Sequence, residues 1–166
     1  MKLIKITYIS TLALLLGLAP SSQAAGDAGG SAQQFVQSFY NWYVPFSAHS
    51  KTLACEGAMN ERPQFFSAKL YQALKRDTTK QENLGGLQGL GFDPFMNSQD
   101  PASKYAVGNV RSDRDHYLVD VYGVGDAHRD RELAVRAQVK QESGHWVFTD
   151  FLYPNKTSLK KLLHAE

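Results

Sequence analysis

Apolar positions recur every four residues between Ser31 and Val44: Phe35, Phe39 and Tyr43 line up on one helical face, with Val36 and Tyr40 beside them. Ser31-Ala32-Gln33-Gln34 has the form of a capping box, and Pro45 predicts an end near Val44. Phe46–Asn60 shows no period and reads as irregular. A second helix is expected to start between Glu61 and Ser67, with Phe66, Leu70 and Leu74 on one face and Tyr71 adjoining. Glycines at 85, 86, 89 and 91 then open a long loop that runs through Phe92-Asp93-Pro94 to Asp100-Pro101. From Tyr105 the period drops to two. Tyr105–Arg111, Tyr117–Tyr122, Leu133–Val139 and His145–Tyr153 read as strands, with turns at Gly123–Asp130 and Glu142-Ser143-Gly144. Asn155–Ser158 offers caps for a short closing helix carrying Leu159, Leu162 and Leu163. Helices followed by a meander predict an α+β fold: N-terminal helices on one face of a curved antiparallel sheet of about four strands, with a short C-terminal helix.

The first 24 residues follow a different pattern. Lys2 and Lys5 precede a mostly apolar run, Ile6–Leu18, which closes on Pro20-Ser21-Ser22-Gln23-Ala24 with small residues where signal peptidase reads. The run is too short to span about 30 Å of hydrocarbon, so it predicts a cleavable secretory signal over 1–24. Residues 25–30 (Ala-Gly-Asp-Ala-Gly-Gly) are expected as a flexible mature start and 31–166 as one domain. The expected location is a bacterial periplasm or the extracellular space, with no membrane anchor after cleavage.

Charge changes the picture once the signal is set aside. The formal +2 resides in Lys2 and Lys5, so the mature chain balances 16 basic with 16 acidic residues. No basic stripe remains to follow a phosphate backbone, and a nucleic-acid partner is not expected. Cys55 is the one cysteine and has no internal disulfide partner. It is a buried thiol, an intermolecular bridge or a reactive group. His49 lies six residues upstream, but no third group completes a nucleophile, and no catalytic residue is assigned.

Three blocks carry a likeness: Phe35-Val36-x-x-Phe39-Tyr40; Gly91-Phe92-Asp93-Pro94 through Gln99-Asp100; and Gly144-His145-Trp146-Val147-Phe148-Thr149-Asp150-Phe151 followed by Asn155, Ser158-Leu159 and Leu162. In order and spacing the chain from 31 to 166 resembles the YbjP/YqhG-like family of exported bacterial proteins. That resemblance implies an NTF2-like, cystatin-like α+β fold and no established activity. Some family members carry cysteines between the two loop aspartates, where this chain has Met96 and Asn97.

The ligand-binding candidates are Tyr40, Trp42, Tyr43, Asp93, Asp100 and Asp150. Asp93, Asn97 and Asp100 present oxygens, but Pro94 and Phe95 stand where calcium ligands belong, so turn formation is the expected role. No metal or cofactor is expected. Strand alternation puts Asp150 on the face of Trp146, Phe148 and Leu152, the core or cavity side, and Asp120 raises the same question between Leu118 and Tyr122. An inward carboxylate is a general-base candidate beside a tyrosine donor such as Tyr40 or Tyr43. The structural alternatives for Asp150 are bonds to backbone amides near the last helix, or a β-bulge that turns it to solvent. Trp42 falls off the main stripe and is expected at the surface, as a contact for a partner or a sugar ring. The reading that follows is a binding or interaction module without a catalytic set. It takes a small molecule in the sheet cavity or a periplasmic protein partner, as an inhibitor or immunity-like protein does, and acts as a monomer or dimer. The alternative is an NTF2-like enzyme using an inward aspartate as base.

Overall fold

A computed structural model describes residues 23–50, 53–83, 90–125 and 132–165. Residues 1–22 of the expected signal, glycines 85, 86 and 89, and residues 126–131, which include most of the turn expected at Gly123–Asp130, lie outside these. The architecture is α+β. Helix α1 (Gln23–His49) is followed by α2 (Ala54–Glu61), a 3-10 turn (Pro63–Phe65) and α3 (Ala68–Asn83). Strands β1 (Lys104–Asp113), β2 (His116–Val124), β3 (Glu132–Glu142) and β4 (His145–Leu152) pair antiparallel in the order β1-β2-β3-β4, and α4 (Leu159–Leu162) closes the chain.

Helix α1 departs from expectation at both ends. It runs through residues 25–30, which the sequence pattern leaves out as a flexible start, and Ser31 is no cap: its hydroxyl donates to the Ala28 carbonyl at 3.0 Å. Pro45 lies inside the helix rather than ending it. Interior proline costs about 3 kcal/mol. Tyr43, fully buried, and Phe46, packed on Trp42 at a centroid distance of 4.9 Å, flank it. Fully burying such a ring is worth about 1.5–3 kcal/mol, and the half-buried Phe46 adds part of that again, which together offset the proline. The segment expected as irregular contains α2, and Phe66 lies outside α3, bridged to Phe148 of β4.

The core lies between α1 and the sheet. Val119 and Val121 of β2, Val135, Ala137 and Val139 of β3, and Phe148 and Phe151 of β4 are fully buried toward the helices. Phe39 of α1 meets Phe148 at 4.8 Å, Phe95 at 5.6 Å and Tyr43 at 5.1 Å between ring centroids, so aromatic rings occupy the space expected for a ligand in the sheet cavity.

The outer edge of β1 is satisfied by side chains. The Gln37 amide donates to the Tyr105 carbonyl (3.2 Å) and accepts from Val107 N–H (3.0 Å), and Gln33 donates to the Gly108 carbonyl (2.9 Å). Two helix glutamines thus stand in for a neighbouring strand. Beyond them a bulge at Gly108-Asn109 pairs Val107 with Val121 and Val110 with Val119, turning both β1 valines toward the core. Gly108 is required there, since a Cβ would lie 2.5 Å from the Tyr122 ring.

Candidate functional site

Asp93 sits in the segment after α3 and is the carboxylate that the tertiary structure singles out. Its Oδ1 accepts from the N–H groups of Phe95 (2.9 Å) and Met96 (3.1 Å), which is the turn role expected of an Asp-Pro sequence. Its Oδ2 accepts from the Tyr43 hydroxyl at 2.7 Å. Burial pushes the Asp93 carboxyl above its ordinary range, while the Tyr43 hydroxyl and the two amides pull it back. The Tyr43 phenol rises well above its usual value, first through burial and then through the Asp93 charge.

Two more tyrosines grip the same segment. Tyr40, three residues before Tyr43 on the same helix, donates to the Phe95 carbonyl at 2.6 Å. Tyr153, just past β4, donates to the Pro94 carbonyl at 3.0 Å. Phe95 and Met96 are buried, so this segment is part of the core. Cys55 faces the same region from α2; burial, with a contribution from Asp93, pushes its thiol up to about 12. At that value the half-buried thiol is neutral and a poor nucleophile, which argues against the reactive-group alternative.

The structure therefore brings Tyr40, Tyr43 and Asp93 together and leaves the other candidates apart. Asp100 is exposed, its N–H bonded to the Ser98 hydroxyl at 3.1 Å. Trp42, expected at the surface, is half-buried, with the Arg62 guanidinium 4.3 Å from its ring centroid. Asp150 does not share the face of Phe148. A bulge on β4 pairs Gln138 with Asp150 and Val139 with Phe148, so Thr149 is the extra residue. The Thr149 hydroxyl lies 2.9 Å from the Gln138 side-chain oxygen, and both Phe148 and Phe151 reach the core. Asp150 Oδ1 accepts from Phe151 N–H at 2.8 Å and Lys160 N–H at 2.9 Å, anchoring α4. The first structural alternative holds; the bulge is present as well, but it leaves Asp150 buried against the start of α4 instead of turning it to solvent. Asp120 also faces away from the core, because Val119 and Val121 take the inner positions; Arg136 Nε donates to its Oδ1 at 2.6 Å and Arg111 contacts the same oxygen at 3.4 Å.

A second feature has no counterpart among the expected site residues. Where α1 crosses the hairpin end of β1 and β2, an open cleft of about 390 Å³ separates helix from sheet. Gly29, Gly30 and Gln33 line it from α1, Gly108, Val110 and Ser112 from β1, and Tyr117 from β2. Ser112 pairs with Tyr117 on the helix-facing side of the sheet, beyond the last buried valine. The Tyr117 ring is fixed edge-to-face on Trp146 at 5.5 Å. The available signal was Gly29-Gly30 itself, legible as a gap in a helix face only once the helix is known to extend that far.

Among the described residues, no group of three His, Cys, Asp or Glu is placed to hold a metal, and no helix is long and apolar enough to cross a membrane. No protein-family model matches the chain, and no curated protein matches it. A solved structure of a protein of unknown function from Bacteroides thetaiotaomicron has a similar fold, at a TM-score of 0.54 and 13% identity, covering 78% of this chain and 94% of that one. This likeness is one of fold.

Proposed function

We propose that the chain is an exported binding module, periplasmic or secreted, with an NTF2-like fold related to the YbjP/YqhG-like proteins. Its site in this reading is the cleft between α1 and the β1–β2 hairpin, which takes a small molecule. The observation that carries the proposal is that the interior is packed with aromatic rings while this seam stays open over about 390 Å³, a volume within the range of small-ligand sites. Export is supported by the basic start, the short apolar run and the small residues before Ala25.

The test is native mass spectrometry of protein isolated from the periplasm without reductant. A chain beginning at Ala25 with a stoichiometric added mass, lost when Gly30→Leu fills the cleft, is the expected result. A bare chain, or an added mass that survives Gly30→Leu, overturns the assignment of this cleft.

The enzyme alternative is favoured by one observation, the 2.7 Å contact between Tyr43 and a half-buried Asp93 with a raised carboxyl pKa. As a base, Asp93 would have to release Tyr43 or its two amides, all of which hold the segment closed. Carboxyl-carbon NMR of Asp93 decides between the readings: a ligand that shifts its titration supports the enzyme, and an unmoved titration on saturation removes it.

A further inference from the structure

Gly29 and Gly30 are inside α1, where each glycine costs about 1 kcal/mol relative to alanine. Packing does not ask for them. A Cβ at Gly29 would lie 3.9 Å from Val110 Cγ1 and 4.0 Å from Tyr117 Cε1, ordinary contact distances, and one at Gly30 would meet nothing within 4 Å. Gly108, across the cleft, is the opposite case, with a ring 2.5 Å from its missing Cβ. The paired glycines therefore weaken the helix while keeping a space open.

Resting on the reading of this cleft as the binding site, we infer that its occupant is a neutral saccharide of one or two rings, with Gly29-Gly30 setting the room for it. Among the described lining residues none is acidic, basic or histidine, so a charged group there would find no counter-charge to hold it. An acyl chain fits poorly for the reverse reason: it would cover the Ser112 hydroxyl and the Gln33 side-chain oxygen without bonding to them. A sugar ring offers both surfaces. Its C–H face suits Val110 and the Tyr117 ring, which Trp146 holds in place. Its hydroxyls suit Ser112 and the Gln33 side-chain oxygen, whose orientation is set by the amide's bond to Gly108.

The experiment is backbone-amide NMR of the exported protein titrated separately with chitobiose, maltose, dodecanoate and inorganic phosphate. A neutral disaccharide should shift the amides of Gln33, Gly108 and Ser112 saturably. Gly30→Leu and Tyr117→Leu should each weaken that binding at least tenfold, with melting temperatures confirming that both variants fold. Shifts at these amides from dodecanoate or phosphate alone overturn the saccharide assignment and leave the cleft as a site. Silence from all four probes also overturns it, and the cleft reading then falls only if native mass spectrometry finds no mass that Gly30→Leu removes.

Discussion

Tyr43→Phe deletes one hydroxyl, the donor to Asp93 Oδ2 at 2.7 Å, and leaves the ring that stacks on Phe39 at 5.1 Å. The lost bond is to a carboxylate, and such bonds contribute about 1.5–3 kcal/mol, against about 0.5–1.5 for a neutral pair. Tyr40→Phe supplies the neutral comparison, since the Tyr40 hydroxyl donates to a backbone carbonyl at 2.6 Å in the same segment. The two variants separate by pH. Burial raises the Asp93 pKa above its unfolded value, so the folded state holds that proton more tightly. Stability from this group is therefore highest in acid and falls as pH climbs from the ordinary carboxylate range through the folded pKa. The Tyr43 bond favours the charged form and limits that fall. Its removal raises the folded pKa further, so the cost of Tyr43→Phe is largest at neutral pH and shrinks once Asp93 is protonated. Tyr40→Phe should cost the same at either pH. Urea unfolding followed by the fluorescence of Trp42 and Trp146, at pH 7 and again in acid while the protein is still folded, measures both. A Tyr43→Phe cost that does not change with pH, or that is smaller than that of Tyr40→Phe at pH 7, refutes the role given to the Asp93 charge.

Gly29→Ala should raise stability by about 1 kcal/mol, whereas Gly108→Ala should lower it by about 1–3 kcal/mol by displacing the Tyr122 ring; calorimetric melting of both settles the contrast. Gln37→Ala removes the two bonds that close the β1 edge, at about 1–3 kcal/mol, and hydrogen exchange at the Val107 amide should accelerate while Val119 stays protected. Asp150→Asn retains an oxygen for Phe151 and Lys160 and should melt near the parent, but Asp150→Ala should cost about 1–2 kcal/mol; equal losses would contradict the anchoring role. With its thiol half-buried and held up at about 12, Cys55 should react with Ellman's reagent at pH 8 at least tenfold more slowly in the folded protein than in denaturant.

The strand meander was legible in the residues because its information is local. Val135–Val139 alternates apolar with polar, and the side chains at 135, 137 and 139 are buried as the period requires, while a register shift at Ala134 takes Leu133 out of that row. The aromatic stripe of α1 was legible for the same reason, since Phe39 and Tyr43 need only a helix and something to pack against. Periodicity has no means of registering an inserted residue. The bulge at Thr149 reverses the side on which Asp150 falls, and that insertion is stabilised across the sheet by Gln138 and beyond it by the amide of Lys160. Pro45 is similar: the local rule ends the helix there, and burial of Tyr43 against Phe95, from a distant segment, keeps it going. The candidate sites lay further still from local reading. Asp93 announces a turn in the sequence, but its tyrosine partner stands 50 residues away. The cleft is made by what Gly29 and Gly30 lack, over a floor supplied by β1 and β2. Residue type and spacing determined which segments pair and which faces are apolar; contacts between distant segments, each worth a few kcal/mol, decided which polar groups are buried and where space is left.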